Sequence, residues 1–320
     1  MKIRVAIIGC GAVGSIHAAQ LAGQPEVELT AVYSPEAESA RSFAAQYGVQ
    51  VAATGVEEAI AAADAVIVCS PSPLHFDQAR ACLRAGRHTL IEMPPCADVP
   101  EAIELGAIAR QQGVLVGCAH TSRYLAPYAR IHAALGAGLL GDIQEISYVR
   151  YPQLRPRRWT DDALLHHAAH VIDLVMHWCG GLEPVACVGF PRASSAQSVS
   201  LVATLPAGKS LTAVISYGAK LPVSRMVVVG AKHTVESDGF SFLRSSLGEL
   251  QFAADERAVY ERAIADQDLH FLEACRRNAT YISWAETEDL MRMMQRFQTL
   301  NAAGRDISRL DRSKDNLIFD

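Results

Sequence analysis

The sequence predicts an α/β protein with two parts, a doubly wound parallel sheet followed by an α+β domain with an antiparallel sheet. A short apolar run leads through a glycine-rich turn into an alanine-rich run, and apolar and amphipathic runs then alternate to about residue 118. This alternation is typical of βα units around a parallel sheet. From about residue 143, successive short apolar runs favour antiparallel strands. The predicted domains are residues 1–120 and 121–320.

Composition places the chain among ordinary globular proteins and excludes several functions. The 320 residues are 50% apolar and 20% charged, which is enough for two domains with cores. A net charge of −5 leaves no general basic surface for nucleic acid, and no apolar run approaches the roughly 18 residues of a membrane span. Eight scattered cysteines without a Cys-x-x-Cys pair suit a reducing compartment, so we expect a cytoplasmic protein.

The first motif is the run IRVAIIGCGAVGSIHAAQLA, which predicts a buried strand, a tight turn and a helix. Gly9 permits the turn, Gly11 lets a pyrophosphate approach the backbone, and Gly14 lets the helix lie close to the strand. Ala12 and Val13 open the helix, whose free N–H groups attract phosphate. This context predicts a Rossmann dinucleotide-binding domain, although a purely structural glycine turn is the alternative.

Further strands and helices of this domain follow in alternation. Strands are predicted at VELTAVY, DAVIVCS, RHTLIEM and VLVGC, and helices at PEAESARSFAAQYG, HFDQARACLRAG and VPEAIELGAIARQQG. The second strand ends in Tyr33-Ser34-Pro35, without the acid that usually holds the ribose 2′-hydroxyl of NAD. Ser34 and Arg41 could instead hold a 2′-phosphate, which favours NADP. Glu36 weakens this preference, and NAD stays possible.

The run LLHHAAHVIDLVMHW places four histidines and one aspartate in a largely apolar segment. On an α-helix, His166, His170, Asp173 and His177 fall within a strip roughly 60° wide. The strip is roughly 16 Å long at about 1.5 Å per residue, so only His166 and His170 could share one metal ion. No glutamate stands between them, so the HExxH metalloprotease pattern is absent. A metal-free catalytic stripe is favoured over satisfied histidines on a half-buried helix.

Three more segments, CSPSPLH, LIEMPP and GCAHTSRY, together with the glycine turn, resemble the glucose-fructose oxidoreductase, inositol dehydrogenase and rhizopine-catabolism family. The resemblance covers essentially the whole chain and implies a Rossmann domain plus a domain on a large open antiparallel sheet, with NAD(P)-dependent chemistry on sugars and polyols. It implies that Ser70, Pro71 and His75 belong to the loop over the nicotinamide. It also implies that Glu92 lies at the cofactor.

The sequence departs from the family at two proton-handling positions. Met93 stands where the family's Glu-Lys-Pro motif has lysine, and a thioether can neither donate a proton nor carry charge. His166-x-x-x-His170 stands where the family has an Asp-x-x-x-His pair. Ordinary polyol chemistry should therefore not run unchanged. We expect Met93 to remain beside the cofactor.

A narrower resemblance fits these departures. AHTSRY and PRRWTDDALLHHAAHVIDL resemble the branch of the family that serves aromatic-acid breakdown through protocatechuate ring cleavage. That branch implies NADP-dependent oxidation of the cyclic hemiacetal of 4-carboxy-2-hydroxymuconate-6-semialdehyde to the lactone 2-pyrone-4,6-dicarboxylate. A hemiacetal hydroxyl is more acidic than a sugar hydroxyl, so an imidazole base suffices. His170 is the predicted base and His166 its partner, with a titration expected around pH 6 to 8.

Arginines beside these segments predict a carboxylated substrate, because the guanidinium fork binds carboxylates in bidentate fashion. Arg123 and Arg158 are the predicted clamps, while solvated surface charge is the alternative. The run VRYPQLRPRRW also supplies Arg150, Arg155 and Arg157. The remaining predicted substrate contacts are His120, Trp159 and His167.

Other functions remain open at this stage: a sugar or polyol dehydrogenase with a histidine base, or an inactive NADP-binding sensor, which Met93 alone would suggest. In the second domain, Ser283-x-x-Glu286 predicts a capping box before a helix that ends at Gly304. A large sheet with apolar residues on its outer face predicts a homodimer or homotetramer. No nucleic-acid, membrane or metal partner is expected.

Overall fold

The first sheet has six parallel strands in the order β3-β2-β1-β4-β5-β6. The computed structural model describes residues 2–152, 162–190, 196–248 and 250–303. The strands are β1 (Ile3–Ile8), β2 (Val27–Tyr33), β3 (Val51–Ala53), β4 (Ala65–Val68), β5 (His88–Ile91) and β6 (Val116–Cys118). The order reverses between β1 and β4, which is the switch point where α/β sheets bind ligands. The predicted doubly wound parallel sheet is confirmed.

Helices cover both faces of this sheet. They are α1 (Ala12–Leu21), α2 (Ala37–Tyr47), α3 (Val56–Ala61), α4 (His75–Arg84) and α5 (Val99–Gln112). Local chemistry fixes the ends of α5, because the Asp98 side chain accepts a hydrogen bond from the Glu101 N–H and Gly113 adopts the left-handed conformation. Strand β3 and helix α3 were not predicted, since their three and six residues are too short for a clear periodic pattern.

The second sheet has eight strands in the order β14-β13-β12-β11-β7-β10-β9-β8. They are β7 (Ile143–Tyr151), β8 (Glu183–Phe190), β9 (Ser198–Leu205), β10 (Lys209–Ser216), β11 (Val223–Gly230), β12 (Thr234–Ser237), β13 (Phe242–Ser245) and β14 (Phe252–Ala253). Strands β7 and β10 pair in parallel, and every other neighbouring pair is antiparallel. The sheet is therefore mostly antiparallel, which confirms the predicted fold class, and the pairing of β7 with β10 is its one parallel contact.

The two faces of this second sheet differ in burial. Residues such as Leu201, Ile215 and Val228 are buried on the inner face, while Val188 and Phe190 are more than half exposed on the outer face. Helix α6 (Ala126–Gly136) and helix α7 (Ala169–Cys179) contribute buried side chains to the same core as the inner face. The outer face thus retains apolar surface on β8 and β9.

The C-terminal part of the chain returns to the first domain. Helix α8 (Glu256–Arg277) packs against α1, and Phe271 and Leu272 join the core formed by β1, β2 and α1. Helix α9 (Trp284–Ala303) reaches α5, where the Trp284 indole donates a hydrogen bond to the Ala102 carbonyl (2.8 Å). The division between residues 120 and 121 stays a prediction, and the contacts of α8 and α9 tie the two predicted parts together.

The start of α9 corrects the predicted capping box. The Ser283 hydroxyl accepts from the Ala285 N–H (3.3 Å), and the Glu286 carboxylate binds Arg123 instead of reaching back to Ser283. The Glu286 carboxylate thus pairs with the Arg123 guanidinium and does not form the capping box with Ser283. Gly304, the predicted end of this helix, lies outside the described residues. Within the described ranges, no helix is long and apolar enough to cross a membrane.

We expect Gly14→Ala to unfold the first domain more readily than Gly11→Ala. A Cβ at Gly14 would lie 2.1 Å from the Gly9 carbonyl oxygen, whereas a Cβ at Gly11 would meet no atom within 4 Å. The overlap should cost about 3 kcal/mol of unfolding free energy. Thermal or denaturant unfolding of the two variants measures this difference. Equal stabilities would contradict the packing of α1 on β1.

Candidate active site

The glycine turn after β1 forms an open cradle at the carboxyl edge of the first sheet. Gly9 has a φ of 118°, and a Cβ there would lie 2.6 Å from the Cys69 carbonyl oxygen. Gly11 is exposed, and no side chain caps the N-terminus of α1, which Ala12 and Val13 begin. Open space beside free N–H groups fits a dinucleotide pyrophosphate, so these residues are suited to hold one.

The residues expected near the ribose follow β2. Ser34 is half-buried, and its hydroxyl accepts from the Glu36 N–H (3.4 Å). Arg41 binds Glu38 through two contacts of 3.2 and 2.7 Å, so its guanidinium is paired within its own helix. This exposed pair holds Arg41 only weakly. The preference for NADP therefore stays a prediction.

Two loops at the ends of β4 and β5 are joined by His75. Its ring nitrogens lie 2.7 Å from the Ser70 carbonyl oxygen and 2.8 Å from the Pro94 carbonyl oxygen. Pro71 precedes a single 3₁₀ turn, and the Met93–Pro94 peptide bond is cis. The buried His75 therefore fixes the two loops that the sequence assigns to the cofactor.

A buried triad that sequence reasoning missed includes Glu92, which follows β5 at the start of the second of these loops. His17, on α1, is fully buried, with Nδ1 2.6 Å from Asp268 Oδ2 and Nε2 3.0 Å from Glu92 Oε1. Carboxylates only accept, so both ring nitrogens must carry protons to make both hydrogen bonds. Burial opposes the charge, but Asp268 and Glu92 outweigh it and raise the pKa of His17 to about 10. A histidine within an otherwise apolar stretch of α1 was the only signal in the sequence.

Glu92 is the member of this triad nearest the site. Burial alone would raise the pKa of Glu92, but the hydrogen bond and charge of His17 hold it below its usual range. The Glu92 side chain is 17% exposed, and Glu92 Oε2 accepts from the Met93 N–H (3.3 Å). The Met93 side chain is buried in the core. The carboxylate therefore remains ionised at the edge of the site.

The predicted histidine helix begins with a single π-helical segment, Leu164–Ala168, before α7. Asp162 caps it by accepting from the Leu164 and Leu165 N–H groups (2.8 and 3.2 Å). The His166 and His167 rings stack with centroids 4.5 Å apart, and the His170 ring lies 6.0 Å from His166. Irregular helical turns of this kind are frequent at functional sites.

His170 differs in charge from His17. It is half-buried, but its Nδ1 is fully enclosed and has no hydrogen-bond partner among the described residues. Burial first, and then the neighbouring His166, lower the pKa of His170 to about 4, although Glu92 and Asp173 act in the opposite direction. The imidazole is therefore neutral at physiological pH. The titration that we expected around pH 6 to 8 is corrected downward.

The other half of the predicted stripe belongs to a buried ionic network. Asp173 binds the Arg123 guanidinium in bidentate fashion (3.0 and 2.6 Å), and Arg123 Nη1 also donates to Glu286 (2.7 Å). His120 Nδ1 lies 3.0 Å from Asp173 Oδ1, within ion-pair distance, and His120 Nε2 lies 3.2 Å from the Thr287 hydroxyl. Burial opposes the charge of Asp173, but His120 and Arg123 hold its pKa well below the usual range.

This network corrects the view of one continuous stripe. Arg123 Nη1 also approaches His177 Nδ1 (3.4 Å), so Asp173 and His177 group with Arg123 and not with His170. The fork of Arg123 that we assigned to a substrate carboxylate is turned toward Asp173. His120 is likewise held by protein groups. The substrate roles of Arg123 and His120 stay predictions that this geometry does not favour.

Of the other residues predicted to contact the substrate, the structure describes some and leaves others outside the described residues. His167 Nδ1 lies 2.9 Å from the Tyr217 hydroxyl, at the end of β10. The Arg150 guanidinium lies 4.8 Å from the centroid of the Phe240 ring. Four predicted residues lie outside the described residues: Arg155, Arg157, Arg158 and Trp159. Across the described part of the chain, no three histidine, cysteine or acidic side chains are placed to share a metal ion.

The glycine cradle at the edge of a six-stranded parallel sheet is the arrangement of the dinucleotide-binding class of proteins. Residues 3–120 match the family GFO_IDH_MocA, described as an oxidoreductase family with an NAD-binding Rossmann fold. The first domain, which carries the glycine cradle, therefore matches this family. The resemblance stated from the sequence motifs is confirmed.

Curated relatives refine the comparison. The chain is 34% identical over 199 residues to 4-carboxy-2-hydroxymuconate-6-semialdehyde dehydrogenase of Sphingobium sp. strain NBRC 103272 / SYK-6, an alignment that spans 59% of this chain and 63% of that protein. It is 28% identical to scyllo-inositol 2-dehydrogenase (NADP(+)) IolW of Bacillus subtilis, over 76% of this chain and 68% of that protein. The aligned parts thus cover about two thirds of these relatives.

A solved structure agrees over nearly the whole chain. UDP-N-acetylglucosamine 3-dehydrogenase GnnA from Acidithiobacillus ferrooxidans superposes with a TM-score of 0.80 at 24% identity, covering 94% of this chain and 99% of that one. At this identity the likeness concerns the fold alone. The predicted fold class, a Rossmann sheet plus a domain on a large antiparallel sheet, is therefore confirmed.

We expect Asp173→Asn to destabilise the protein by about 3 kcal/mol at neutral pH, because it removes the buried acidic partner of Arg123 and leaves the exposed Glu286 carboxylate to offset its charge. The folded pKa of Asp173 is depressed, so its contribution is complete above the unfolded value of about 3.9 and is lost as the pH falls below it. Denaturant unfolding from pH 7 down to pH 3 measures the difference from the native chain. The matched control is Asp142→Asn, whose side chain is exposed. A difference that does not shrink in acid would contradict this assignment.

Proposed function

We propose that the protein is an NADP-dependent dehydrogenase that oxidises the cyclic hemiacetal of a carboxylated semialdehyde to a lactone. The substrate would be 4-carboxy-2-hydroxymuconate-6-semialdehyde or a close analogue, and the product a lactone such as 2-pyrone-4,6-dicarboxylate. Similarity to the Sphingobium dehydrogenase supports this substrate class. The family match supports the broader activity, oxidation of a CH–OH group with NAD(P).

One observation carries the catalytic part of the proposal. His170 is a neutral imidazole whose enclosed Nδ1 has no hydrogen-bond partner in the described ranges. Because Nδ1 is enclosed while the ring as a whole is only half-buried, a substrate hydroxyl would meet the other ring nitrogen, Nε2. A neutral imidazole can also take the proton of that hydroxyl. His170 is therefore the proposed base, and the neighbouring His166 orients the hydroxyl.

In this mechanism the protein positions the alcohol and handles its proton. NADP, when bound, supplies the acceptor for the hydride that leaves the hemiacetal carbon. The glycine turn and the N-terminus of α1 would hold the pyrophosphate, and the loops fixed by His75 would border the nicotinamide. The hydroxyl proton passes to His170 as the C–H bond breaks, so the oxygen forms the lactone carbonyl.

A second candidate is a sugar or polyol dehydrogenase with a histidine base. Arg123 favours it, since the fork assigned to a substrate carboxylate is already bound to Asp173. Similarity to the Bacillus subtilis inositol dehydrogenase also supports it. An inactive sensor is the third candidate, and the neutral, unpartnered His170 argues against it.

Charge on the substrate separates the first two candidates. The protein is mixed with the carboxylated semialdehyde and NADP, and in parallel with scyllo-inositol and NADP, while formation of the reduced cofactor is followed. We expect turnover on the carboxylated substrate, with a KM raised at least about 10-fold by Arg158→Ala. Turnover on the neutral polyol alone, or a KM that Arg158→Ala leaves unchanged, would favour the sugar dehydrogenase. Replacing NADP by NAD tests the cofactor preference.

We expect His170→Asn to lower kcat by about 10²- to 10⁴-fold while cofactor affinity changes little. The native rate should rise as the pH rises through about 4 and then level off, because His170 must be neutral to act as the base. Rates from pH 3.5 to 8 give this profile. The matched control is His233→Asn, in the exposed turn between β11 and β12. If metal removal abolished activity and zinc restored it, the metal-free mechanism would be wrong.

We also propose a homodimer or homotetramer in a reducing, cytoplasmic compartment. Exposed Val188 and Phe190 on the outer face of the second sheet support self-association, and all eight cysteines are free thiols. We expect Val188→Lys with Phe190→Lys to shift the protein to a monomer in sedimentation velocity. A native monomer at micromolar concentration would contradict this.

A further inference from the structure

The buried triad of His17, Glu92 and Asp268 lies outside the groups that the proposed mechanism uses. His17 comes from the helix whose N-terminus forms the dinucleotide cradle, and Asp268 comes from α8, which follows the second sheet in the chain. Glu92 follows β5 and is the only one of the three with an exposed fraction. The triad therefore joins three distant segments through one charged ring.

We propose that His17, together with Asp268, is a positioning residue that keeps the Glu92 carboxylate ionised and fixed at the edge of the site, where its charge acts through space on the proposed base, His170. Glu92 would then stabilise the positive charge that His170 gains when it takes the substrate proton. This inference rests on the proposed role of His170 as the base. It does not depend on which alcohol is the substrate.

Direct contacts hold the three side chains of the triad together. Both ring nitrogens of His17 engage carboxylate oxygens at hydrogen-bond distance, and neither side chain of the buried pair His17 and Asp268 is exposed. A single positive ring between two acids leaves the triad with one net negative charge. Asp268 therefore offsets the charge of His17, and the remaining negative charge lies at Glu92, the end nearest solvent.

Several ionisable side chains act on the charges of Glu92 and His170. His17 from α1 favours the ionised form of Glu92 through its charge and its 3.0 Å contact, while His75 from α4 and His170 from α7 do so only when they carry a proton. Around His170, Glu92 is the strongest influence that favours the charged ring. Met93, next in the chain, carries no charge that could replace it. Glu92 is thus placed to stabilise the imidazolium formed during proton transfer.

Asp173 is the other acid that favours a charged His170, and His166 and His120 oppose it. Asp173, however, is bound in bidentate fashion by Arg123. A carboxylate neutralised by a guanidinium has less effect on a third group. We therefore expect the pKa of His170 to depend more on the ionisation of Glu92 than on that of Asp173.

The test compares how two substitutions shift the pH range in which kcat rises from its low value in acid, which we call the acid limb. The two substitutions should shift it in opposite directions. In His17→Gln, Glu92 loses its cation and protonates at higher pH, so the limb should move to higher pH and kcat should fall about 10- to 100-fold at pH 6. In Glu92→Gln the counter-charge is absent at every pH, so the limb should move to lower pH. The double variant should follow Glu92→Gln.

A purely structural role predicts another result. His17→Gln would then lower the melting temperature but leave the acid limb where the native enzyme has it, and the proposal would be overturned. The matched control is His233→Gln, which should change neither quantity. All rates are measured on whichever alcohol the native enzyme oxidises, so failure of the carboxylated substrate alone does not affect this test.

A second measurement needs neither turnover nor a stable His17 variant. Nuclear magnetic resonance of histidine-labelled native protein should show one buried imidazole, assigned to His17 through its contacts in α1, that keeps both N–H protons from pH 5 to 8 and titrates only at about 10. Titration near the ordinary value would overturn the proposal. If no alcohol is oxidised, the proposed function fails, while this titration still decides whether His17 holds Glu92 as an ion pair.

Discussion

The contact between His17 and its two carboxylates is the interaction on which the site depends. An unpaired charge in a protein interior is costly, so three ionisable groups can be buried together only if their charges and hydrogen bonds match. In this chain the match requires that α1, the segment after β5 and α8 meet at one point. Together with the apolar packing of Phe271 and Leu272, this contact holds α8 against the first domain and fixes Glu92 at the edge of the site.

His17 and His170 illustrate how the environment of a histidine decides its charge. His17 is enclosed by two acids and is protonated, while His170 is enclosed without a partner for Nδ1 and is neutral. Burial acts on both rings in the same direction, against the charged form. The outcome differs because the carboxylates contact His17 directly and reach His170 only through space. A base and its supporting cation can therefore be built from the same residue type.

The two departures from the family's usual motifs both change the charges around Glu92 and His170. Met93 removes a cation next to Glu92, and His166 removes an acid one turn before His170. Without a neighbouring lysine, the carboxylate of Glu92 depends on His17 for its partner. His166 in that place disfavours the charged form of His170 and so lowers its pKa, which in the proposed reaction would suit an alcohol that loses its proton readily.

The sequence by itself determined the local features of this protein. The glycine turn, the alternating runs and the family motifs predicted the Rossmann sheet, because each depends on residues close together in the chain. Strand succession likewise predicted the second sheet, but not the parallel pairing of β7 with β10, which joins segments about 60 residues apart. Helical periodicity brought His166 and His170 together, yet it also joined Asp173 and His177 to them.

Only the tertiary structure separated that stripe into two groups. The π-helical segment turns His166 and His167 toward each other, and Arg123, about 50 residues earlier, binds Asp173. The triad was equally hidden, since Asp268 lies 251 residues from His17. Charge pairing in an interior depends on distance in space and on exclusion of water. Neither quantity can be taken from spacing along the chain, so the ionisation of each site residue was decided by the fold.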